Sequence, residues 1–466
     1  MSSAALCQAK QPDKLAMFRD KAHQALDAFI DQLAPGLLQE EPLTLLEISE
    51  IFQEHKGDML GQMFADFIRM HLLEQYQEEF SNCPKCNRPV KKKRDSSRRI
   101  DTCQGSSLLE RGYFYCSSCK IGFSPVDEAL ALSGRRKQYD LQQLALKYLA
   151  EMPFEKAAEL FEEATGVSFS DHRLHSLFVE FTEQMSIEDV IPSAKEIEQR
   201  IANLARSGNR RPILAVAADG AHMPTRPPGN RRKKRGAGEY REAKGFRIYA
   251  IGKDDVVQIA SWHQIQSADE FARDLHLAAS RIPLDKVRVC LLGDGASWVW
   301  RCMEDAFPGS RQILDYYHCM EHLYALAESQ YGDDPDKALS WVMGAIGHIY
   351  YNETGCVIGG LKRMEPKNDN AKEQIRKLIG YLNNNRHRLN YSGAKRRGCP
   401  IGSGGIESAN KFICHTRLKR SGAWWLKENG NGMLRLRCSL VNGTFDEAFA
   451  KYVTRDQARK YFGTNA

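Results

Sequence analysis

Hydrophobic spacing divides this chain into stretches of different period. Leu15, Phe18, Ala22, Leu26, Phe29 and Leu33 recur every three or four positions, as on one face of a helix. Pro35-Gly36 is expected to end that helix, and Thr44-x-x-Glu47 is a capping box for the next, with Ile48, Ile51 and Phe52 on one face. After Gly57 a further apolar face carries Leu60, Phe64, Phe67, Ile68 and Leu72. Residues 1–80 therefore read as a helical region, either packed on the rest of the chain or serving as a dimer arm. Helical spacing returns over residues 125–205. There a helix from Phe154 to Ala164 is followed by Thr165-Gly166-Val167, and Ser168-x-x-Asp171 is expected to cap a second helix that buries Leu174, Leu177, Phe178 and Phe181. This is the pattern of a helix-turn-helix, whose second helix would offer His172, Arg173, His175 and Ser176 to a DNA major groove.

From Pro212 the pattern changes to short unbroken apolar runs. PILAVAADG (Pro212–Gly220) takes six apolar residues into Asp219 and a glycine. Such a run suits a strand buried on both faces, and the glycine is expected to end it with Asp219 at the strand's carboxyl end. KVRVCLLGDG repeats the arrangement at Asp294. Further strands are expected at Phe246–Ile251, Val256–His263 and Gln312–Tyr317, with helices after Ser267 and from Ser297 to Phe307. Strands first, then alternating helix and strand, is the order of a ribonuclease-H-like fold. Residues 320–395 read as an all-helical insertion, and Glu407 follows the glycine-rich GCPIGSGG and opens a helix. Two Asp on strand ends and one Glu on a helix can bind a pair of divalent ions. Two metals about 3.5–4 Å apart activate a water or 3′-hydroxyl and steady the leaving oxygen in phosphodiester chemistry. Hard oxygen ligands favour magnesium or manganese.

Composition adds a second metal. The chain has 13 Cys. In a cytosolic protein a scattered, odd number points to thiols and metal ligands rather than disulfides. Cys83-Pro-Lys-Cys86 and Cys116-Ser-Ser-Cys119 are two C-x-x-C knuckles, the ligand set of one structural zinc. A β-hairpin can fill the segment between them, and Cys103 is a rival fifth thiol. The net charge of +7 is modest, but basic residues cluster. Lys91, Lys92, Lys93 and Arg94, with Arg98 and Arg99, lie inside the expected zinc ribbon. Arg231, Arg232, Lys233, Lys234 and Arg235 lie in a loop after the first Asp strand, and Lys411 is one turn beyond Glu407. These clusters suit a DNA backbone. No apolar run is long enough to span a bilayer, and the first residues lack a secretory pattern, so a cytoplasmic protein is expected.

Four motifs together resemble the ISKra-type insertion-sequence transposases, members of the DDE class near its Mutator-like branch. They are ADGAHMPTRPPGN around Asp219, GDGASW at Asp294, ILDYYHCMEHL, and PIGSGGIESANK around Glu407. The resemblance covers about residues 210–450. It implies a catalytic trio of Asp219, Asp294 and Glu407 holding two Mg²⁺ (or Mn²⁺), with His318 of a D-x-x-H signature supporting the site. It also implies terminal inverted repeats and target DNA as substrates, assembly as a homodimer on paired ends, and a nucleoid-associated bacterial protein. The expected architecture is multidomain α+β. Residues 1–80 are helical, 81–124 a zinc ribbon and 125–205 a helix-turn-helix-like region. Residues 206–319 and 396–466 form a ribonuclease-H-like catalytic domain interrupted by the helical insertion at 320–395. Two other readings compete: a DNA-binding protein that does no chemistry, and a zinc metalloprotease built on the H-x-x-E-H of His318, Glu321 and His322.

Overall fold

A computed structural model gives the fold over residues 13–205, 211–227, 238–253 and 255–462. Cα proximity divides the chain into two compact units, Met1–Phe181 with Phe449–Ala466, and Thr182–Ala448.

In the first unit, α1 (Lys14–Leu37) packs on α2 (Leu45–His71). Pro35 lies inside α1 rather than ending it. In the final turn a proline removes only one helical hydrogen bond, and Leu38 N–H still closes onto Ala34 C=O at 3.2 Å. The Thr44–Glu47 capping box starts α2, which runs unbroken through Gly57. A different glycine of this helix, Gly61, lets a hairpin tip approach it. A Cβ on Gly61 would lie 2.3 Å from Ser106 C=O, and one on Gly105, at φ +111°, would lie 2.2 Å from Gly57 C=O. The hairpin is β2 (Pro89–Thr102) paired antiparallel with β3 (Gly105–Cys116). With β1 (Phe80–Asn82) and β4 (Ile121–Phe123) it makes a four-stranded sheet in the order β1-β2-β3-β4. Its far end packs Ile100 and Leu109 against Ala65 and Ile68 of α2 and against Leu72 just beyond it. Arg98, expected on DNA, is instead largely buried. Together with Arg111 it binds the Asp127 carboxylate at 2.5 Å, because a buried carboxylate needs paired cations.

Helices α3 (Tyr139–Glu151), α4 (Phe154–Thr165) and α5 (Asp171–Glu183) follow. Gly166, at φ +68°, ends α4 in the left-handed conformation that favours glycine. The second helix begins at Asp171, two residues later than the Ser168 cap predicts. Val167 and Phe169 are buried in the connection, Phe169 edge-on to Phe161, so the chain stays extended until both are covered. His172, Arg173, His175 and Ser176 are exposed on α5.

The second unit holds α6 (Ala194–Ala205) and a five-stranded sheet. The strands are β5 (Ile213–Thr225), β6 (Glu239–Ile251), β7 (Val256–Ile265), β8 (Arg288–Gly293) and β9 (Arg311–Leu314). Their order is β7-β6-β5-β8-β9. β5, β6 and β7 form an antiparallel meander, while β8 and β9 add in parallel on the other side of β5. Two crossover helices supply the parallel returns. They are α7 (Ala268–Ser280), started by a Ser267–Glu270 capping box, and α8 (Ser297–Ala306). Ile213 to Ala218 are all buried, which makes β5 a rigid central support. After β9 come α9 (Tyr316–Tyr331), α10 (Pro335–Tyr350), α11 (Thr354–Arg363) and α12 (Asp369–Asn384). They bury Leu323, Leu326, Val342, Ile346, Ile349, Ile375, Leu378 and Leu382 and leave Trp341 half-buried. A short helix α13 (Gly404–Ala409) runs into a π-helical turn, Asn410–His415, and α14 (Lys427–Asn442) lies along β7.

Two boundaries differ from the sequence reading in ways that shape the site. Gly220 does not end β5: pairing with β6 continues to Thr225, opposite Glu239. The parallel pairing with β8 does end, at Ala217. Asp219 thus lies just past the point where two parallel strands part, although its own strand continues. The expected strand to Tyr317 stops at Leu314, because the Asp315 carboxylate caps α9 by accepting the His318 N–H at 2.6 Å.

Candidate functional site

The carboxyl ends of β5 and β8 bring Asp219 and Asp294 into one neighbourhood. Asp294 follows the last residue of β8, and its carboxylate accepts the Ala296 N–H at 2.9 Å while Gly295, at φ +110°, turns the chain into α8. Asp219 is half-buried. One oxygen accepts the Gly220 N–H at 2.7 Å, and the other accepts the side-chain amide of Asn410, also at 2.7 Å. Burial pushes the Asp219 carboxyl up to about 6, and the charges of Asp294 and Glu407 push it the same way. Those two groups therefore lie within electrostatic reach of Asp219.

Glu407 is exposed on the first turn of α13. Ser403 Oγ donates to it at 2.8 Å. The loop that carries it is tied down by backbone: the buried Asp315 carboxylate accepts Ser403 N–H, and Ile401 C=O accepts Tyr316 N–H at 2.9 Å. Arg247 of β6 donates to Gly405 C=O at 2.8 Å. Gly405 itself leaves room for Tyr249, since a Cβ there would lie 2.8 Å from that ring.

His318 stands on α9 beside this loop. Its Nδ1 lies 3.3 Å from Asp315 Oδ1, an ion-pair contact without hydrogen-bond alignment. The Asp315 carboxylate pushes the imidazole up to about 9, so His318 is cationic at neutral pH. Burial works against the Asp315 charge, but hydrogen bonds from His318 and Ser403 outweigh it and hold the carboxyl below its usual range. Asp315, His318 and Glu407 offer ligand atoms that all lie within 4.8 Å of one another. Among the described residues, Asp219 and Asp294 are not part of so tight a set. The expected trio is thus not a single tight ligand set: Glu407 clusters with Asp315 and His318, while Asp219 and Asp294 lie past the ends of adjacent parallel strands. The trio's oxygen donors and mutual repulsion fit a divalent cation.

The proposed H-x-x-E-H zinc set is not assembled among the described residues. The His322 ring packs on Tyr381, with centroids 4.1 Å apart, and the groups clustered with His318 are Asp315 and Glu407 rather than Glu321 and His322.

The knuckles in the first unit do converge. Cys83, Cys86, Cys116 and Cys119 place their sulfurs within 4.8 Å of one another, and Cys86 and Cys116 are 3.8 Å apart. With Zn–S bonds of about 2.3 Å, a regular tetrahedron has S–S edges of about 3.8 Å, so this spacing fits zinc. Cys103 sits at the hairpin tip outside that cluster. Burial and the neighbouring Asp140 push its thiol up to about 11.

The basic residues fall into three groups. Lys91, Lys93 and Arg94 are exposed on β2, the last two lying over the rings of Tyr115 and Tyr113, while Lys92 pairs with Glu79 at 3.2 Å. Arg173 and Lys411 are exposed. Arg231, Arg232, Lys233, Lys234 and Arg235 lie outside the described residues. No helix among the described residues is long and apolar enough to cross a membrane.

His263 is a site neighbour that no motif marks, and Asn410 lies within PIGSGGIESANK without a role assigned from sequence. His263 is fully buried, and burial pushes its imidazole down to about 4. Its native pKa lies below its unfolded value near 6.5, so the unfolded chain takes up a proton that the native state refuses. The histidine is stability-neutral above pH 6.5 and costs stability as pH falls from there towards 4, about 3 kcal/mol in all. Asp219 has the opposite sign, because its native pKa is raised: the native state gains protons, and stability, between pH 6 and 3.8. The two partly cancel in the wild type. Urea denaturation of wild type and His263→Gln should separate them, with the wild-type advantage shrinking by about 3 kcal/mol between pH 7 and 4. An advantage independent of pH would show that His263 is not the buried neutral group inferred here.

Comparison with known proteins adds a family. A search of curated proteins finds no match. Among solved structures, the Drosophila P element transposase strand transfer complex is similar at 10% identity and a TM-score of 0.25, over 70% of this chain and 81% of that one. The family profile matches residues 45–454, and the chain belongs to UPF0236, an uncharacterised protein family.

Proposed function

We propose that this protein is a DDE transposase of the ISKra type, nicking DNA at the terminal inverted repeats of an insertion sequence and joining the freed 3′ ends to target DNA. The observation that carries this reading is the placement of Asp219 and Asp294 just past the end of adjacent parallel strands, with Asn410, three residues beyond Glu407, hydrogen-bonded to Asp219 at 2.7 Å. The meander-then-parallel order β7-β6-β5-β8-β9 supports a ribonuclease-H-like catalytic domain. The helices between β9 and Glu407 agree with an insertion.

In this reading Asp219, Asp294 and Glu407 hold two Mg²⁺ or Mn²⁺. When bound, these ions activate the attacking water or 3′-hydroxyl and stabilise the leaving oxygen. The chain's own groups do the positioning. β5 and β8 fix the two Asp on a buried sheet, and the Ser403 loop fixes the helix start that carries Glu407. His318 contributes positive charge near the scissile phosphate. Lys411, Arg173 and the exposed Lys91, Lys93 and Arg94, with the basic run Arg231 to Arg235, contact the DNA backbone. Cys83, Cys86, Cys116 and Cys119 hold one zinc, which is structural because four thiolates leave no open position. Two copies, one on each transposon end, complete the assembly.

The test is a labelled terminal-repeat duplex incubated with the protein and Mn²⁺ or EDTA, read for nicks and joined products. Metal-dependent nicks at the repeat end are expected. DNA binding without nicking would favour the binding-only reading.

A further inference from the structure

The sheet register places Asp219 opposite Gly245, and Gly245 opposite His263, so the three lie in one row across β5, β6 and β7. Side chains in such a row share a face. Gly245 leaves that face open, and the His263 ring fills the gap: a Cβ on Gly245 would lie 2.1 Å from His263 Cδ2 and 2.4 Å from Nε2. The imidazole therefore reaches across the neighbouring strand towards Asp219. Asn410 closes the remaining distance. Its Nδ2 donates to Asp219 Oδ2 at 2.7 Å, and its Oδ1 lies 3.0 Å from His263 Nε2.

Donor chemistry orients this chain without ambiguity. A carboxylate only accepts, so the Asn410 NH₂ faces Asp219 and its carbonyl faces the histidine. His263 must then carry its proton on Nε2 and donate it. Its bare Nδ1 faces Cys438 Sγ at 4.0 Å. Both His263 and Asn410 are buried. Asn410 is also three residues beyond Glu407, at the point where α13 gives way to the π-helical turn. Positions i and i+3 share a helix face. One short helix thus carries Glu407 and also grips Asp219.

We infer that Asn410, held by His263 in the space that Gly245 leaves, is a positioning residue that fixes the Asp219 carboxylate for metal binding and couples its orientation to the helix bearing Glu407. The inference rests on the reading of Asp219 as a metal ligand. Partners that orient metal ligands typically account for about 10–100-fold in metal affinity.

The test is Mn²⁺ binding to the full chain without DNA, followed by electron paramagnetic resonance of free Mn²⁺, with circular dichroism melting of each variant. Asp219→Ala defines the binding that depends on that carboxylate. Asn410→Ala should weaken the same binding by about 10-fold or more. Should it fail to fold, Asn410→Leu keeps a similar volume, removes the donor and should show the same loss. His263→Leu should behave like Asn410→Ala. His263→Gln can still donate an N–H to Asn410, and should stay within about threefold of wild type, a rescue that a merely space-filling role would not give. Wild-type Mn²⁺ affinity in a folded Asn410 variant, with binding lost in Asp219→Ala, would overturn the inference alone. Equal losses in His263→Gln and His263→Leu would overturn it too. Wild-type affinity in Asp219→Ala would overturn the metal-ligand reading and the inference with it.

Discussion

Asp219→Asn leaves a folded, DNA-binding protein that no longer nicks, and makes it more stable at pH 8 than the wild type. Two-metal chemistry would need each of its carboxylate ligands, so the loss of nicking should be at least about 10³-fold, or about 4 kcal/mol of transition-state stabilisation. Asp294→Ala and Glu407→Gln should lose comparable activity. The gain in stability has a separate cause. Asp219 is held near pH 6 by burial and by the charges of Asp294 and Glu407, so ionising it in the metal-free native state costs roughly 3 kcal/mol at pH 8. An amide removes that cost, and its carbonyl can still accept the Asn410 N–H. The sign follows from linkage: the raised native pKa favours folding below about pH 4, and that advantage is lost as pH rises through 6. Urea melts without metal at pH 8 and pH 4 would check this, the variant's advantage being present at the first and gone at the second. A variant less stable at both values would mean that no repulsion is stored at the site.

Removing zinc should have the second large effect, on structure rather than chemistry. Around the knuckles the buried apolar core is small: Phe114 and Phe123 with the sulfurs of Cys83 and Cys116, backed by the partly buried Val90 and Ile121. Burying two aromatic rings contributes only about 5 kcal/mol, which does not offset the ordering of some forty residues. Structural zinc in finger peptides contributes about 10–16 kcal/mol. Chelation, or Cys83→Ser, should therefore loosen the sheet end that holds β1, β4 and the adjoining parts of β2 and β3. The other end of the hairpin keeps its own support, because Ile100 and Leu109 pack on α2. Trypsin reports the difference: it should cut at Lys91 to Arg94 within minutes of zinc removal and leave those sites intact in the zinc-loaded protein. Equal resistance in both states would show that the four thiols are not a metal site.

The parts of the site legible in the sequence are those written in local pattern. The C-x-x-C pairs need only their spacing, and the segment between them is the hairpin β2–β3. The buried runs before Asp219 and Asp294 mark strands, because a continuous apolar stretch ending in Asp-Gly leaves few alternatives. The errors come from long-range partners. Gly220 reads as a stop, yet β6 keeps pairing with β5 beyond it. Gly61 carries no periodic signal, yet its missing side chain lets Ser106 of the hairpin tip approach α2. Asp315 sits in an apolar run that reads as strand, but its carboxylate finds the N–H groups of His318 and Ser403. Asn410 and His263 were hidden for the same reason. Their roles depend on cross-strand register and on a glycine that makes room for a ring, neither of which leaves a periodic trace. The one local hint was the i, i+3 spacing of Glu407 and Asn410.

The central claim is that Asp219, Asp294 and Glu407 share divalent cations. Crystals grown with Mn²⁺ and terminal-repeat DNA, with data collected at the manganese edge, test it most directly. Two anomalous peaks about 3.5–4 Å apart are expected among Asp219, Asp294 and Glu407. Manganese found only among Asp315, His318 and Glu407, with Asp219 and Asp294 unligated, would contradict it.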